Sequence, residues 1–392
     1  MLIRKAYKFK LEPTADQTAR LAVLCGHARF VWNHGLRLCL SNLDAGEKVP
    51  SAYDMNKQLT LWKKELELEW LIDAYTDNLQ QKLTDLHKAW QRCFDKSLAA
   101  QRPRFKKKSD NEDTIRFVNF NKYCSLNGKQ VKLPSKLGWL KFRKSQEIIG
   151  TIKNCTVSSK AGNWYISFQV EQEIDDPRHP ATSAIGLDMG IAKFVTQSDG
   201  TFHKPLNAYR KHEKRLACEQ RKLSKKTKFS SNWRKQKQKV QRIHSRITNC
   251  RKDFLQKTST VISKNHAMIA IEDLRVANMS KSAKGNAVEH GKNVKAKSGL
   301  NKSILDQGWY EFRRQLEYKQ HWNGGIVVAV PAHYTSQTCP CCDHVSRDNR
   351  KTQAKFVCVS CGFSENADTV GAINVLERGH RLIACGESAL AA

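Results

Sequence analysis

The stretch Ala184-Ile-Gly-Leu-Asp188 is a short apolar run that ends on a carboxylate, and it decides how the second half of the chain is interpreted. A run of this kind is typical of a buried strand. Glycines at 186 and 190, on both sides of Asp188, are expected to let a bulky ligand approach. Ile269-Ala-Ile-Glu272 is a second apolar run closing on an acid, and Asp368 stands where a helix is predicted to start. Strands and helices in this order predict an α/β domain.

Each of these acids has an ordinary explanation when taken singly. Acids are commonplace at strand ends, and Asp368 could cap the free N–H groups of its helix. Capping or solvation also explains three competing acids nearby, which are Asp273, Asp306 and Glu365. Together, Asp188, Glu272 and Asp368 predict a more specific arrangement. Mg²⁺ prefers oxygen ligands, and two such ions can drive phosphodiester hydrolysis. We therefore expect two catalytic Mg²⁺ ions at these acids.

The charge of the chain indicates a polyanionic partner. Its 392 residues include 68 Lys and Arg against 37 Asp and Glu, a formal net charge of +31. Nucleic acid is the first explanation for such an excess. An anionic membrane surface is the alternative, but the basic residues run through the whole chain instead of forming one juxtamembrane cluster. No stretch reads as a signal peptide or a membrane span.

Five of the thirteen cysteines lie close together, in Cys339-Pro-Cys-Cys342 and Cys358-Val-Ser-Cys361. Two C-x2-C pairs with a fifteen-residue gap predict one tetrahedral Zn²⁺ site, which is structural because four thiolates leave no open position. Cys341 could replace a ligand or be a spare thiol. Cys339 and Cys342 are preferred because they reproduce the spacing of the second pair. The odd number and scatter of the other cysteines favour a reducing compartment.

The N-terminal half predicts strands around a helical segment. Residues 1–12 form a strand, and Thr14 with Gln17 forms a capping box that starts a helix. A second helix is predicted at about 76–100, with Leu79, Leu83, Leu86, Trp90 and Phe94 along one face. Strands between 114 and 172, with a hairpin turn at 160–163, could close with residues 1–12 into a small barrel. Residues 173–183 read as a linker.

Further along, the chain alternates basic helices with apolar strands. Residues 206–264 predict two helices separated near 229–232, and residues 279–303 predict a mobile loop with almost nothing to bury. A helix at about 305–322, including Leu305, and a strand at 325–330 follow. After the cysteines comes a helix from Ala367 to Arg378.

These residues, in this order, resemble the TnpB family of transposon-encoded nucleases, relatives of type V CRISPR effectors. The resemblance covers most of the chain. It is carried by Tyr7-Lys-Phe-Lys-Leu-Glu-Pro13, Ala28-Arg-Phe-Val-Trp-Asn33, Gln101-Arg-Pro-Arg-Phe-Lys106, Gly186-Leu-Asp-Met-Gly190, Ile271-Glu-Asp-Leu274, Thr335-Ser-Gln-Thr-Cys339, Cys358-Val-Ser-Cys-Gly362 and Asn366-Ala-Asp368.

The resemblance implies an α/β multidomain protein with an RNase H-like (RuvC) nuclease domain, an inserted zinc ribbon, an N-terminal wedge barrel and a helical recognition lobe. The expected ranges are 1–12 and 114–180 for the barrel, 13–113 for the lobe, 181–330 and 366–380 for the nuclease, 331–365 for the ribbon and 381–392 for a tail. Asp188, Glu272 and Asp368 would be the catalytic metal-binding acids. The basic pair 206–264 would line a heteroduplex channel, and 279–303 would be a lid.

The implied activity is RNA-guided cleavage of DNA beside a short flanking motif. The implied partners are a guide RNA from the same element and double-stranded target DNA, with one protein chain per RNA and no membrane. We expect a cytoplasmic, nucleoid-associated protein of a prokaryotic cell.

The sequence departs from the family at two places and leaves two other functions open. Val370-Gly371 stands where the family usually has Asn-Ala, which could alter packing behind the site, and Pro340-Cys341 replaces the usual small residues. One alternative is a catalytically weak RNA-guided or plain DNA-binding protein that acts like a repressor. This alternative predicts that the protein does not cleave DNA with metal present, so that Asp188→Ala has no cleavage to abolish. The other is a DNA-strand-transferring transposase, which predicts joined products instead of breaks.

Overall fold

The computed structural model describes residues 1–108, 113–286 and 289–386, so four residues of the predicted lobe, two of the predicted loop and the last six of the tail lie outside it. The chain divides into two compact units, Met1–Ile174 and Asp175–Ala392, with the boundary inside the predicted linker. Among the described residues, every helix is too short or too polar to cross a membrane.

The first unit is built on one antiparallel sheet. Its strands are β1 (Leu2–Glu12), β2 (Thr114–Phe117), β3 (Ser125–Asn127), β4 (Gln130–Leu133), β5 (Gly138–Phe142), β6 (Thr151–Lys160) and β7 (Asn163–Glu173). They pair in the order β2-β6-β7-β1-β5-β4-β3. The predicted hairpin between β6 and β7 is confirmed, with Lys160 opposite Asn163. The closure of this sheet into a barrel stays a prediction.

α-Helices and a 3-10 helix accompany this sheet. They are α1 (Ala15–Asp44), α2 (Ala52–Trp62), the 3-10 helix Leu66–Asp73, α3 (Thr76–Phe94) and α4 (Phe120–Tyr123). The predicted capping box is confirmed: the Gln17 backbone N–H donates to the Thr14 hydroxyl, and the Thr14 N–H donates to the Gln17 side chain. Buried side chains of α1 and α3 share one hydrophobic core with the sheet, as Leu24, Leu83 and Phe168 illustrate.

The prediction that α3 continues to residue 100 was wrong. The helix ends at Phe94, whose side chain is exposed. The Asp95 carboxylate accepts a hydrogen bond from the Ser97 backbone N–H at 2.9 Å. Asp side chains offer the backbone this alternative to a helical hydrogen bond, and here it ends the helix.

The second unit contains a mixed five-stranded sheet and a small two-stranded one. The larger sheet consists of β8 (Ala184–Asp188), β9 (Val195–Gln197), β10 (Phe202–His203), β11 (Met268–Glu272) and β12 (Ile326–Val330). Their order is β10-β9-β8-β11-β12; β8, β11 and β12 are parallel, while β9 pairs antiparallel with both β8 and β10. The smaller sheet pairs β13 (Lys355–Val357) with β14 (Ser364–Asn366).

The helices of the second unit are α5 (Ala208–Ser224), α6 (Ser231–Asn265), α7 (Val276–Met279), α8 (Val294–Gln307), α9 (Trp309–Asn323) and α10 (Ala367–Ala384). The prediction of two basic helices is confirmed by α5 and α6, which pack through Leu216, Val240 and Ile243. The C-terminal helix is longer than predicted and continues six residues past Arg378 into the predicted tail.

Two predictions around α8 were wrong. Residues 294–303 are helical, not a loop, because the residues that follow them bury Ile304 in the core and Asn301 donates to the Ser280 carbonyl oxygen. The helix predicted at 305–322 is two helices, because Gly308 takes the left-handed conformation at φ +77° and ends α8. This break leaves Leu305 exposed instead of on the buried face.

Candidate active site and metal centres

Two of the three predicted acids end neighbouring parallel strands. Asp188 is the last residue of β8, and Glu272 is the last residue of β11. The two strands pair directly, from Ala184 opposite Met268 to Leu187 opposite Ile271. Because the carboxyl ends of parallel strands meet at one edge of a sheet, both carboxylates lie at the same edge.

The third acid, Asp368, lies in the first turn of α10 and is not the residue that caps this helix. The Asn366 side chain accepts the hydrogen bond from the Asp368 backbone N–H at 3.1 Å and so acts as the cap. The Asp368 carboxylate instead faces two cations: Lys193 Nζ lies 3.6 Å from Oδ2, and an Arg350 guanidinium nitrogen lies 3.4 Å from Oδ1. Asn366 therefore caps the helix, and the Asp368 carboxylate is available to bind a cation.

The glycines on either side of Asp188 serve packing, and the expectation that they admit a ligand was wrong. A Cβ on Gly186 would collide with the backbone carbonyl oxygen of Ala372 and with Leu376, both in α10. A Cβ on Gly190 would lie 2.8 Å from the Lys193 carbonyl oxygen. Gly186 therefore lets α10 approach β8 closely, and Gly190 permits the turn that carries Lys193.

The acids influence one another electrostatically. Burial, and then the nearby Glu272 and Asp368 carboxylates, raise the pKa of the Asp188 carboxyl to about 7, against the opposing effect of Arg350 and Lys193. Burial also raises the pKa of Glu272. Both shifts reflect negative charge that is removed from water, and at Asp188 the charge is also close to other negative charges. A bound cation would relieve this repulsion, and carboxylate oxygens are the donors that Mg²⁺ prefers. The donor set therefore fits Mg²⁺.

A buried hydrogen-bond chain holds Glu272 in place. The Thr335 hydroxyl, in a residue only 3% exposed, donates to Glu272 Oε1 at 2.8 Å. The Asn374 side chain on α10 donates in turn to the carbonyl oxygens of Thr335 and Thr338, at 2.7 and 2.8 Å. The segment that leads into the first cysteine pair is thereby tied to both Glu272 and α10.

The three competing acids are engaged elsewhere. Asp306 is buried, accepts from the backbone N–H groups of Tyr209 and Arg210 at the start of α5, and pairs with Arg251 at 2.6 Å. Its predicted capping role is thus confirmed. Asp273 pairs with a surface arginine of α9, and Glu365 is exposed and accepts from the following backbone N–H.

The family departure at Val370-Gly371 falls at two packed positions of α10. Val370 is fully buried beside Phe356 of the small sheet. A Cβ on Gly371 would lie 3.3 Å from the Asp188 carboxyl carbon and from Oδ2, so this residue stands directly behind that acid. The packing behind the site therefore depends on a residue without a side chain at 371.

Four of the predicted zinc ligands converge. The Sγ atoms of Cys339, Cys342, Cys358 and Cys361 all lie within 4.8 Å of one another. The pairs Cys339–Cys361 and Cys342–Cys358 are each separated by 3.6 Å. A tetrahedral Zn²⁺ with Zn–S bonds of about 2.3 Å requires sulfur–sulfur separations of about 3.8 Å, so the four thiols fit this ion. Cys341 is exposed and does not belong to this group of four thiols.

Backbone groups around the cysteines favour thiolates. The Cys361 N–H donates to Cys358 Sγ at 3.5 Å, and this bond is the main reason that the pKa of the Cys358 thiol is lowered to about 6. The Cys341 N–H donates to Cys339 Sγ at 3.4 Å. Since the thiolate is the form that binds metal, the turns are arranged for ligation.

Sequence reasoning missed three polar residues of the site. Arg350 and Thr335 come from the segment predicted to be the ribbon, and Lys193 comes from the turn after β8. Thr335 was part of a quoted motif but had no assigned role. Periodicity offers no signal for such residues, because they reach the acids from irregular segments.

Three family profiles match parts of this chain. A family profile described as "Probable transposase" matches residues 167–283, one described as "Cas12f1-like, TNB domain" matches 309–375, and one described as "Helix-turn-helix domain" matches 1–48. In the last range the structure has β1 and the whole of one 30-residue helix, α1.

Solved structures of low similarity include "Cryo-EM structure of the Cas12f1-sgRNA-target DNA complex", at 17% identity, with 95% of this chain and 99% of that one covered and a TM-score of 0.34. Another is "Structure of the mini-RNA-guided endonuclease CRISPR-Cas_phi3", at 13% identity, with coverage of 64% and 57% and a TM-score of 0.37. At these TM-scores the likeness carries no conclusion about this chain.

Two curated relatives match almost throughout. "Putative RNA-guided DNA endonuclease InsQ" of Escherichia coli (strain K12) is 50% identical, with 98% of this chain and 94% of the relative covered. "Putative RNA-guided DNA endonuclease" of Streptomyces pristinaespiralis is 31% identical, with 98% and 92% covered. On these matches, the chain belongs to the TnpB family of transposon-encoded RNA-guided DNA endonucleases.

Proposed function

We propose that this protein is an RNA-guided DNA endonuclease in which Asp188, Glu272 and Asp368 hold two Mg²⁺ ions. The observation that carries the proposal is the placement of two strand-end acids and one helix-start acid close enough to interact: burial, and then the Glu272 and Asp368 carboxylates, raise the pKa of Asp188. When bound, the ions would activate water and stabilise the attacking and leaving oxygens of a phosphodiester. A mixed sheet with acids at the ends of parallel strands supports an RNase H-like nuclease domain.

The two cations of the site have roles that follow from their position. Without metal, Lys193 and Arg350 partly neutralise the acids. With metal bound, the acids no longer need both cations. A guanidinium can form two parallel hydrogen bonds to a phosphate, so Arg350 would orient the scissile phosphate and offset its developing charge. Lys193 would help to keep Asp368 oriented.

The four thiols would hold one structural Zn²⁺, and its role here is to support the catalytic residues. Arg350 lies eight residues before Cys358, and Thr335 lies four residues before Cys339. Both residues therefore depend on the folding of the cysteine-bearing segment. Closed four-cysteine sites contribute folding energy and not chemistry, which agrees with this division of labour.

The partners proposed are a guide RNA from the same element and the target DNA that pairs with it. The charge of the second unit supports nucleic-acid binding, since α6 carries ten Lys and Arg against one acid. The guide would supply sequence specificity by pairing, while the protein would recognise heteroduplex shape and a short flanking motif. The proposed domains, including the wedge barrel and the lobe, keep the predicted ranges.

The test is cleavage of a plasmid library in which one target stands beside randomised flanks. The protein is expressed with the downstream sequence of its own element as the guide source. We expect Mg²⁺-dependent breaks in a subset defined by the flank, with Asp188→Ala lowering cleavage by more than about a thousandfold. Glu377→Ala, which removes an exposed acid of α10, is the matched control.

Guide-dependent binding of the target without breaks in the wild type would replace this proposal with the repressor alternative. Joined products instead of breaks would favour strand transfer. Failure to retain any RNA would favour plain DNA binding.

A further inference from the structure

One face of α9 carries large side chains at four-residue spacing, and it begins at the candidate active site. Tyr310, Arg314, Tyr318 and Trp322 are named here the α9 ladder. Residues four apart on a helix lie on the same face. The opposite face of α9 is the one that packs into the core, through Phe312 and Leu316, both fully buried.

Three of the four side chains in the α9 ladder contact one another. The Arg314 guanidinium lies 5.5 Å from the centre of the Tyr318 ring, and the Tyr318 and Trp322 rings are 4.6 Å apart. Tyr310 is 75% exposed, which is unusual for a tyrosine beside a buried acid. Three planar side chains and a guanidinium in one row form a surface on which flat molecules can stack.

A cavity extends from Tyr310 and Arg314 of the ladder to Glu272. It has a volume of about 410 Å³, and its lining includes Glu272, Met189, Trp309, Tyr310 and Arg314. The side chain of Trp309 is 3% exposed, and its indole N–H has no hydrogen-bond acceptor among the described residues.

The charges around the ladder favour bases over phosphates. Arg313 is paired with Asp273 and Glu317, at 2.6 and 2.7 Å, and Arg314 is paired with Glu311 at 2.8 Å. These cations are therefore already neutralised and attract a phosphate weakly. The α9 ladder therefore offers a surface for stacking and little net positive charge, whereas α6 is strongly basic.

We infer that the α9 ladder binds the unpaired bases of single-stranded DNA and leads that strand to the acids. The inference rests on the proposed nuclease function and deepens it. Four residues of helix rise about 6 Å, whereas stacked nucleotides in a duplex strand are spaced by about 3.4 Å. If one base stacks on each side chain of the ladder, the DNA strand must be extended and its bases unstacked. The surface therefore favours DNA whose two strands have already been separated. Base–aromatic stacking of this kind tolerates any sequence.

The test measures binding of a fluorescein-labelled oligothymidine by the full, guide-loaded protein in an Asp188→Ala background, which prevents cutting. We expect Tyr310→Ala and Tyr318→Ala each to weaken binding about five- to tenfold, while Tyr310→Phe stays within about twofold. An oligonucleotide of the same length with abasic sites should bind the parent protein more weakly, and Tyr310→Ala should reduce that difference. The salt dependence of binding should not change, because no phosphate contact is lost.

The matched control is Tyr53→Ala, which removes a tyrosine of the first unit that is 68% exposed. Equal binding by Tyr310→Ala, Tyr318→Ala and the Tyr53→Ala control would overturn the inference, and so would equal affinity for the abasic oligonucleotide. Guided cleavage of duplex DNA by the wild type is measured in parallel. Cleavage without ladder-dependent binding removes the ladder alone, whereas ladder-dependent binding without cleavage supports the ladder and removes the proposed nuclease function.

Discussion

The acid cluster and the cysteine cluster belong to the same unit but are built in opposite ways. Asp188 and Glu272 end strands whose other residues lie in the hydrophobic core, so their positions depend on the fold. The four thiols sit on turns around a two-stranded sheet with a very small core, centred on Phe356 and Val370. The acids should remain in place without metal, whereas the cysteine segment should not.

The two clusters are nevertheless connected. Arg350 and Thr335 extend from the cysteine segment to the acids, and α10 contributes both Asp368 and the buried Val370. With the proposed roles, a structural metal would control a catalytic site that it does not touch. Four experiments can break or sharpen this view.

Loss of zinc should have the largest effect. We expect Cys358→Ser to lose the bound zinc, to make residues 339–361 sensitive to protease and to lower cleavage by more than about a hundredfold, because folding of small metal sites depends on the metal. Zinc content by atomic absorption and cleavage rates are the measurements. Cys341→Ser, the matched control, should keep both. Zinc loss with cleavage intact would separate the two clusters.

Removing Arg350 should have the next largest effect. We expect Arg350→Ala to slow cleavage by about 10- to 100-fold, the range typical of one lost charge-stabilising donor, with zinc content unchanged. Single-turnover cleavage rates measure this. Arg350 lies in a short 3-10 helix, Arg347–Arg350, and Arg347→Ala changes an exposed arginine of that helix and serves as the control. A similar loss in both variants would indicate general binding and not a role at the acids.

Thr335 should matter less and in a different way. Thr335→Val keeps the shape of the side chain but removes the hydrogen bond that lowers the pKa of Glu272. We expect cleavage to slow by about tenfold and to need more Mg²⁺ for half-maximal rate, with Thr335→Ser close to wild type. Thr338→Val removes a hydroxyl that bonds only to the Tyr334 carbonyl oxygen and is the control. An unchanged Mg²⁺ requirement in Thr335→Val would contradict the positioning role.

The smallest expected effect concerns the stability of the acid cluster. The pKa of Asp188 is raised from 3.8 to about 7, so the folded protein holds this proton more firmly than the unfolded chain does. The resulting stability is present at low pH and is lost as the pH rises from about 4 to 7. Asp188→Asn avoids that loss, and we expect it to stabilise the Mg²⁺-free protein by about 1–3 kcal/mol at pH 8 and much less at pH 5.

Thermal unfolding followed by circular dichroism, with zinc retained, measures this difference. Added Mg²⁺ should stabilise the wild type more than the variant and so reduce the gap. Equal stability of the two proteins at pH 8 without Mg²⁺ would show that the acids do not repel one another.

From the sequence alone, one could predict the strands that carry Asp188 and Glu272, because short apolar runs that end on an acid leave few other interpretations. The spacing of the cysteine pairs likewise predicted which four thiols converge. The capping box at Thr14 was also readable, since its hydrogen bonds join residues three apart. Each of these features is local, and local patterns survive in a linear sequence.

Only the tertiary structure decided what depends on contacts between distant segments. It separated Asp368 from the capping role, because Asn366 accepts that hydrogen bond, and it brought Arg350 and Thr335 to the acids. It also gave Gly186 its role in packing against α10 and ended α8 at Gly308. Such contacts join residues tens to hundreds of positions apart, and no periodicity records them.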